Sequence, residues 1–248
     1  MRELADDLGD VVAMPSAVRR VVSIVPSLTE SIAVTHAQLL VGATDWCTHP
    51  QQLDVTRVRG TKNPDLDRIR ALAPDVVLAN AEENRAVDLD ALRASGIAVW
   101  TTSPTTVAES LDSLERMLSA IIGAYPAWLR QAREVWSTPY DGKRRRAVVP
   151  IWRRPWMALG RDTFAGDLLS RIGIDNVFAD SGERYPRIDP EALPGYDIVV
   201  LPDEPYAFSP DDGPEAFTRP AKCVSGRHLT WYGPSLVEAR ELLTRQLA

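Results

Sequence analysis

Five short apolar runs without polar alternation recur along the chain and are bounded by Pro, Gly or Asn. They are Arg20–Val25, Asp75–Leu78, Ile97–Trp100, Ala147–Ile151 and Asp197–Leu201. Such runs are typical of strands buried on both faces, as in parallel sheets covered by helices. Helical patterns lie between them: Leu28–Leu40, Asp65–Leu72, Asp88–Ser95, Thr106–Ile122, Ala127–Trp136, Asp162–Ile172 and Leu236–Leu247. The alternation of strands and helices predicts an α/β fold with mainly parallel sheets.

A repeated plan divides the chain into two lobes. Residues Leu66–Glu83 and Ile188–Pro205 both show an acidic helix start, a short helix, a turn, an Asp-led apolar strand and an acidic loop. We therefore predict α/β lobes at residues 1–103 and 146–248, with a helical linker at 104–145. The linker has no Gly/Ser-rich stretch and is interrupted only near Pro126, so we expect it to hold the lobes at a nearly fixed angle.

Aromatic residues are concentrated in the loops that follow the predicted strands. Ligands of open α/β sheets bind beyond the carboxyl ends of the strands, so these loops are expected to line a cleft between the lobes. Trp and Tyr offer flat surfaces with a polar edge, which suits a large planar ligand, although any one of them could belong to the core. The predicted ligand-binding residues are Ser27, Trp46, Asn80, Trp152, Trp156, Tyr185, Trp231 and Tyr232.

The net charge and the composition limit the classes of partner that the chain is expected to bind. The formal net charge of −6 disfavours nucleic acid, and no stretch approaches the length of a membrane span. Cys47 and Cys223 are too few and too far apart for a disulfide scaffold or a zinc knuckle, so their redox state stays open. The acidic N-terminal segment does not resemble a signal peptide. The chain as given is therefore expected in the cytoplasm, or outside it if a leader has been removed.

Catalytic motifs are missing from the sequence. It contains no GxSxG, GxxxxGK or HExxH, so we predict a binding protein and not an enzyme, with no required cofactor. Cys47 and His49 stand one residue apart on a loop, which is poor geometry for a catalytic dyad. His49 is a candidate ligand for a chelated metal, because neutral imidazole coordinates cobalt, iron and zinc. His228 is a weaker candidate, and His36 fits a packed helix.

Two carboxylates, Asp67 and Glu191, occupy matching places in the repeat. An acid at a helix start is stabilised by the helix dipole, which explains each of them alone. It does not explain why both lobes carry one. The two acids could also dock onto arginines of a dimeric partner.

Six stretches carry a resemblance to a known family: Arg20–Glu30, Val41–Pro50, Asn63–Asn80, Asp88–Val99, Phe164–Phe178 and Glu183–Leu193. In order and spacing they resemble the cobalamin-binding, periplasmic-type solute-binding proteins of ABC importers, within the helical-backbone metal receptor superfamily. That resemblance implies a monomer that binds cobalamin or another corrinoid between its lobes and docks on an ABC permease dimer.

Individual positions follow from the same resemblance. Trp46 and Tyr185 match the aromatics that stack on the corrin, Asp67 and Glu191 match the docking acids, and Trp152 and Trp231 lie in cleft-lining loops. Thr61 and Asn80 replace two further aromatics of the cobalamin binders. The alternatives are a haem or ferric-siderophore binder, whose anionic ligand Arg153, Arg154 and Arg184 could neutralise, and a cytoplasmic corrinoid-binding protein or enzyme without a permease.

Overall fold

The computed structural model describes residues 1–248 and has a mixed α/β architecture, which confirms the predicted fold class. Residue contacts divide the chain into two compact units. The first unit comprises residues 1–104, 110–130 and 232–234, and the second comprises 105–109, 131–231 and 235–248. No helix is both long enough and apolar enough to cross a membrane.

A five-stranded parallel sheet organises the first unit. Its strands are β3 (Val21–Ser23), β4 (Leu40–Ala43), β5 (Thr56–Arg57), β8 (Val76–Asn80) and β9 (Val99–Thr102), in the spatial order β5-β4-β3-β8-β9. β3 and β8 are buried along their whole length, as their unbroken apolar runs predict. Val22, Val77 and Val99 from neighbouring strands pack with Ile69 and Leu92 from the covering helices.

The helices of this unit begin at recognisable signals. α1 (Pro26–His36) starts with proline, whose missing N–H costs nothing in a first turn, and a 3₁₀ turn at Ala37–Leu39 follows it. α2 (Leu66–Ala71) is capped by Asp65, whose carboxylate accepts a hydrogen bond from the Arg68 N–H at 3.0 Å. α3 (Ala86–Ala94) leads into β9.

Two antiparallel hairpins in this unit were not predicted. The first pairs β1 (Arg2–Ala5) with β2 (Val11–Met14), and the second pairs β6 (Arg59–Gly60) with β7 (Asn63–Pro64). The first hairpin is fixed by its turn, because Asp7 accepts hydrogen bonds from the Ser113 hydroxyl at 2.6 Å and from Arg116 at 2.7 Å.

A four-stranded parallel sheet organises the second unit. Its strands are β10 (Arg145–Val148), β13 (Ile174–Asn176), β14 (Ile198–Pro202) and β15 (Ala221–Val224), in the order β13-β10-β14-β15. Its helices are α6 (Phe164–Ser170), α7 (Gly226–Thr230) and α8 (Leu236–Leu247), with a 3₁₀ turn at Pro214–Ala216. Val199 and Leu201 of β14 pack against Phe208.

Two predictions for this unit were wrong. The region around Trp152 and Trp156 is not a loop but an antiparallel hairpin of β11 (Pro150–Arg153) and β12 (Trp156–Ala158). Glu191 does not start a helix but lies in a turn, where its N–H donates to the Asp189 side chain at 3.0 Å. Pro190 and Pro194 flank this turn, and Pro194 supplies no N–H to extend a helix and disfavours helical backbone before it.

The predicted helical stretch consists of α4 (Val107–Ile121) and α5 (Ala127–Ser137). The contact-based boundary falls within both helices, since residues 110–130 belong to the first unit. The domain limits read from the sequence, with a separate linker at 104–145, stay a prediction.

Candidate functional site

The carboxyl ends of parallel strands meet at one edge of the first unit's sheet, and four predicted ligand residues lie at or near this edge. Ser27 follows β3, Trp46 follows β4, Asn80 ends β8, and Tyr232 is joined to β8 and β9 by hydrogen bonds. Trp46 is 65% exposed, whereas the other three are buried. The only large apolar surface among these four side chains is therefore the Trp46 indole.

Asn80 and Tyr232 form a closed hydrogen-bond network. The Asn80 amide donates to the Tyr232 hydroxyl at 2.8 Å, that hydroxyl lies 2.7 Å from the Thr102 hydroxyl, and Thr102 donates to the Ala79 carbonyl at 3.0 Å. The Asn80 side-chain oxygen accepts from the Glu82 and Glu83 N–H groups. Burial, with the Glu83 charge nearby, raises the pKa of Tyr232, so the hydroxyl keeps its proton. Both side chains hold the backbone at this edge, and a direct ligand contact by either stays a prediction.

Ser27 lies in the first turn of α1, close to the segment that contains Tyr232. A Cβ atom at Gly233 would lie 3.1 Å from the Ser27 carbonyl oxygen and 2.9 Å from the Ser31 hydroxyl, so glycine permits this close approach. The Ser27 hydroxyl is buried and has no hydrogen-bond partner. A buried polar group without a partner is costly, so this hydroxyl is a hydrogen-bonding position left open at the sheet edge.

Cys47 is buried, whereas His49 is half-buried. The Cys47 sulfur lies 3.0 Å from the Thr29 hydroxyl and 3.1 Å from the Thr44 hydroxyl, and burial raises the pKa of the thiol. A buried protonated thiol is a poor nucleophile. His49 is half-buried with its Nδ1 3.1 Å from the Thr48 hydroxyl, and no group of three or more potential metal-ligating side chains surrounds it. Coordination by His49 would therefore be to a metal already held in a chelate.

The hairpin of the second unit carries two predicted ligand residues in different environments. Trp156 stacks on Phe208 with ring centroids 5.8 Å apart and meets Phe217 edge-on at 5.3 Å, so it packs within an aromatic cluster. Trp152 meets Tyr206 edge-on at 5.7 Å and is 43% exposed. Arg153 lies over the Trp156 ring and forms ion pairs with Asp212 and Glu215. Of the two indoles, Trp152 offers the larger free face.

Tyr185 lines a cavity of about 540 Å³ in the second unit. The chain on either side of it continues the hairpin, since the Ala158 N–H donates to Pro186 and the Ile188 N–H donates to Trp156, both at 3.1 Å. The other lining residues are Met157, Ser181, Gly182, Glu183, Pro186 and Arg187. Tyr185 therefore stands at the wall of a surface depression on the strand-paired segment.

Glu204 is a notable residue that the sequence reasoning did not select. It follows β14 and lies near Trp231, a predicted ligand residue that is 8% exposed. Burial and the neighbouring charge of Asp203 raise the pKa of Glu204 to about 7, against the opposing effects of Arg227 and of the Trp231 side chain. The sequence offered one signal, an acid directly after an apolar strand, but not its proximity to Trp231.

The two predicted docking acids are both exposed. Asp67 is in the first turn of α2 and pairs with Arg70 at 2.8 Å, with 95% of its side chain exposed. Glu191 lies on an exposed turn. Each acid is accessible to a partner, and their docking role stays a prediction.

A family model matches most of the chain. Residues 21–201 match the family model described as periplasmic binding protein. Vitamin B12-binding proteins of Yersinia pestis and Yersinia pseudotuberculosis are 26% identical over 187 residues, which cover 71% of this chain and 66% of theirs.

Solved structures share the fold over nearly the whole chain. The periplasmic vitamin B12-binding protein of Vibrio cholerae has a TM-score of 0.75 and 20% identity, covering 94% of this chain and 98% of its own. A periplasmic haem-binding protein from a Roseiflexus species gives 0.73 and 18%, covering 93% and 98%. A Helicobacter pylori protein with bound Ni(II) gives 0.83 and 15%, covering 99% and 88%.

Proposed function

Because this chain belongs to the periplasmic binding protein family, we propose that it captures cobalamin or a related corrinoid for an ABC importer and catalyses no reaction. Binding proteins of this kind need a shaped surface that complements the ligand, with no activated nucleophile. The protonated, buried Cys47 thiol is in keeping with that role. The curated relatives whose names state vitamin B12 support corrinoids as the first ligand class to test.

The observation that carries the proposal is the exposed indole of Trp46 at the carboxyl edge of the first unit's sheet. An exposed indole at the carboxyl edge of a parallel sheet offers a flat apolar surface where ligands of such sheets bind, and a corrin presents a broad face that would cover it. Tyr185 and Trp152 supply partly uncovered aromatic rings in the second unit. We propose that these three rings contact the ligand.

A haem or ferric-siderophore ligand is the second candidate, and the fold shared with haem-binding proteins favours it. Such ligands are anionic and need uncompensated cations. Arg153, one of the three arginines considered for this role, already pairs with Asp212 and Glu215. This pairing favours the corrinoid, which has less need of a cation.

The transport partner is a further part of the proposal. Asp67 and Glu191 would dock a monomer onto arginines of a permease dimer, because exposed acids contribute more to recognition than to folding. Capture would take place outside the cytoplasm. Fractionation of the native host distinguishes this arrangement from a cytoplasmic corrinoid carrier without a permease.

Calorimetric titration with cyanocobalamin, cobinamide, haem and a ferric siderophore tests the ligand class. We expect one corrinoid molecule to bind per chain and haem to bind more weakly. Absence of corrinoid binding together with tight haem binding would reverse the order of the two candidates.

His49→Ala tests metal coordination within the same experiment. Loss of an axial imidazole would change the absorbance spectrum of the bound chromophore as well as its affinity, because the ligand field at the metal changes. An unchanged spectrum would remove His49 from the site.

A further inference from the structure

We propose that the β6–β7 hairpin, residues Arg59–Pro64, supports the exposed Trp46 indole, and that Asn84 is the positioning residue that holds this hairpin in place. The effect on ligand binding rests on the proposed function, because it requires a ligand that covers Trp46. The support itself does not, since every contact involved joins residues of the first unit.

The backbone on either side of Trp46 is fixed by the neighbouring strand and hairpin. The Asp45 N–H donates to the Arg59 carbonyl of β6 at 2.8 Å. The Arg57 guanidinium of β5 donates to the Cys47 carbonyl at 2.9 Å. The turn that carries Trp46 is therefore held on both sides, and the orientation of the indole depends on its side-chain torsions and on what the ring lies against.

The hairpin meets the indole at Gly60. A Cβ atom on Gly60 would lie 3.5 Å from the Trp46 Nε1, which is van der Waals contact, so the nitrogen edge of the indole lies beside this strand. The same Cβ atom would overlap the side-chain oxygen of Asn63, the partner of Gly60 in the hairpin. Glycine therefore leaves space for both side chains, and a larger residue at this position would press on both.

Asn84 ties the hairpin to the sheet. Its side chain is buried, and its amide nitrogen donates to the Thr61 carbonyl in the hairpin turn at 2.9 Å and to the Ile24 carbonyl after β3 at 3.2 Å. Its side-chain oxygen accepts from the N–H of Asn80, the last residue of β8, at 2.9 Å. One amide thus joins three segments and uses both its donors and its acceptor.

Loss of the Asn84 donors should disorder the indole without detaching the hairpin. The Lys62 Nζ donates to the Glu82 carbonyl at 2.5 Å, and this exposed bond remains when Asn84 is changed. A hairpin with one attachment has more freedom than one with two, so the Trp46 ring beside it gains orientations. Affinity falls with the fraction of molecules in which the ring is correctly placed, and a fraction of about one tenth costs about tenfold.

The first test uses the protein without ligand. Fluorine NMR of protein labelled with 5-fluorotryptophan, with the Trp46 signal assigned through Trp46→Phe, reports the surroundings of this indole. Asn84→Asp keeps the acceptor oxygen but removes the amide donors, and it should shift or broaden the Trp46 signal.

Asn176→Asp is the matched control for that spectrum. The Asn176 amide of the second unit donates to the Leu159 and Gly160 carbonyls at 3.0 and 3.1 Å, so the change removes the same kind of bonds. It should lower stability by a similar amount and leave the Trp46 signal where it is in wild type. A Trp46 signal that responds equally to both changes, or to neither, would overturn the positioning role.

The second test reaches the same contact from the hairpin and does not depend on the folding of Asn84→Asp. Gly60→Val places a β-branched side chain on a strand, which suits the backbone there, and should displace the Trp46 indole. Gly60→Ala, whose Cβ atom stays at contact distance, should shift the Trp46 signal less. An unchanged signal in both variants would show that the hairpin does not support the indole.

Cyanocobalamin affinity, measured by calorimetric titration, connects the support to binding. Asn84→Asp and Gly60→Val should each bind about tenfold more weakly than wild type. Gln131→Glu, the same amide-to-acid change at an exposed position of α5, should bind as wild type. Wild-type affinity in variants whose Trp46 signal has moved would sink the role in binding. No cobalamin binding by wild type would instead sink the proposed ligand, and the fluorine spectra would still decide whether the hairpin supports the indole.

Discussion

The carboxyl edges of the two sheets differ in how their polar groups are satisfied. In the first unit, Asn80, Thr102 and Tyr232 close a network in which each hydrogen-bonding group named has a partner. In the second unit, Glu204 carries a half-buried carboxyl group whose pKa is raised to about 7 by burial and by the charge of Asp203. Similar strand-and-helix plans thus place a fixed, neutral network at one edge and a titratable group at the other.

The difference separates two kinds of residue that sequence reasoning grouped together. A buried, fully bonded side chain contributes mainly to stability, whereas an exposed aromatic ring contributes mainly to binding. Asn80 belongs to the first kind by its burial and hydrogen bonds, and Trp46 belongs to the second by its exposure. Mutation of Asn80 should therefore lower the free energy of unfolding, whereas mutation of Trp46 should lower ligand affinity.

Asn80→Ala should have the largest effect, a loss of about 3 kcal/mol in the free energy of unfolding. The change removes the acceptor for two backbone N–H groups and leaves the buried Tyr232 hydroxyl without its donor. Urea denaturation measures it, with Gln52→Ala as a control at an exposed amide. Equal stability of the two variants would contradict the role given to the network.

Trp46→Ala and Tyr185→Ala should each weaken corrinoid binding by about 2 kcal/mol, roughly thirtyfold. Stability should change little for Trp46→Ala, because its indole is 65% exposed. Calorimetric titration provides the affinities. Tyr125→Ala, at an exposed aromatic of the first unit, is the matched control and should bind as wild type. Wild-type affinity in both test variants would place the ligand elsewhere.

Glu204→Gln should raise the free energy of unfolding by about 1 to 2 kcal/mol near pH 8. A carboxyl group whose folded pKa is about 7, above its ordinary 4.5, favours folding below the lower value, and that contribution is lost as the pH rises through the higher one. The neutral amide avoids this loss, so the difference between wild type and variant should disappear near pH 4. Urea denaturation at several pH values measures it. A constant difference across the range would show that the carboxyl group does not titrate in the folded state.

Asp67→Lys combined with Glu191→Lys should have the smallest effect on the protein alone, within about 1 kcal/mol of wild-type stability. Ligand affinity should stay unchanged, while stimulation of ATPase activity in a reconstituted importer should be lost, since like charges would face the partner's arginines. Charge-conserving Asp67→Glu is the control. Intact stimulation by the double variant would remove both acids from the docking surface.

Most strands of the two main sheets could be predicted from the sequence, because the central strands are continuous apolar runs. Each of the five predicted strands overlaps an observed one, and the α8 limits agree at both ends. Short or polar strands were not predicted. Examples are β13, whose sequence is Ile-Asp-Asn, and β1, which is mostly exposed. Their pairing depends on neighbours distant in sequence, and local patterns do not record it.

The candidate site could be predicted only in part, because it also depends on contacts between residues distant in sequence. Trp46 could be placed after a strand from local order alone, and its exposure fits a binding role. Glu204 packs closely against Gly226, which lies 22 positions further along the chain in another element, and burial raises the pKa of its carboxyl group. Sequence patterns indicate which edge of a sheet a residue occupies, but not which neighbour will bury its charge.

The position of Tyr232 affects how the protein is made as well as how it is held together. This phenol completes the hydrogen bonding of Asn80 from 152 positions further along the chain. On a ribosome, nearly the whole polypeptide must emerge before the buried amide near the N-terminus meets its partner. The N-terminal sheet is therefore synthesised early but completed late, and truncation of the last seventeen residues would damage the half of the molecule that was made first.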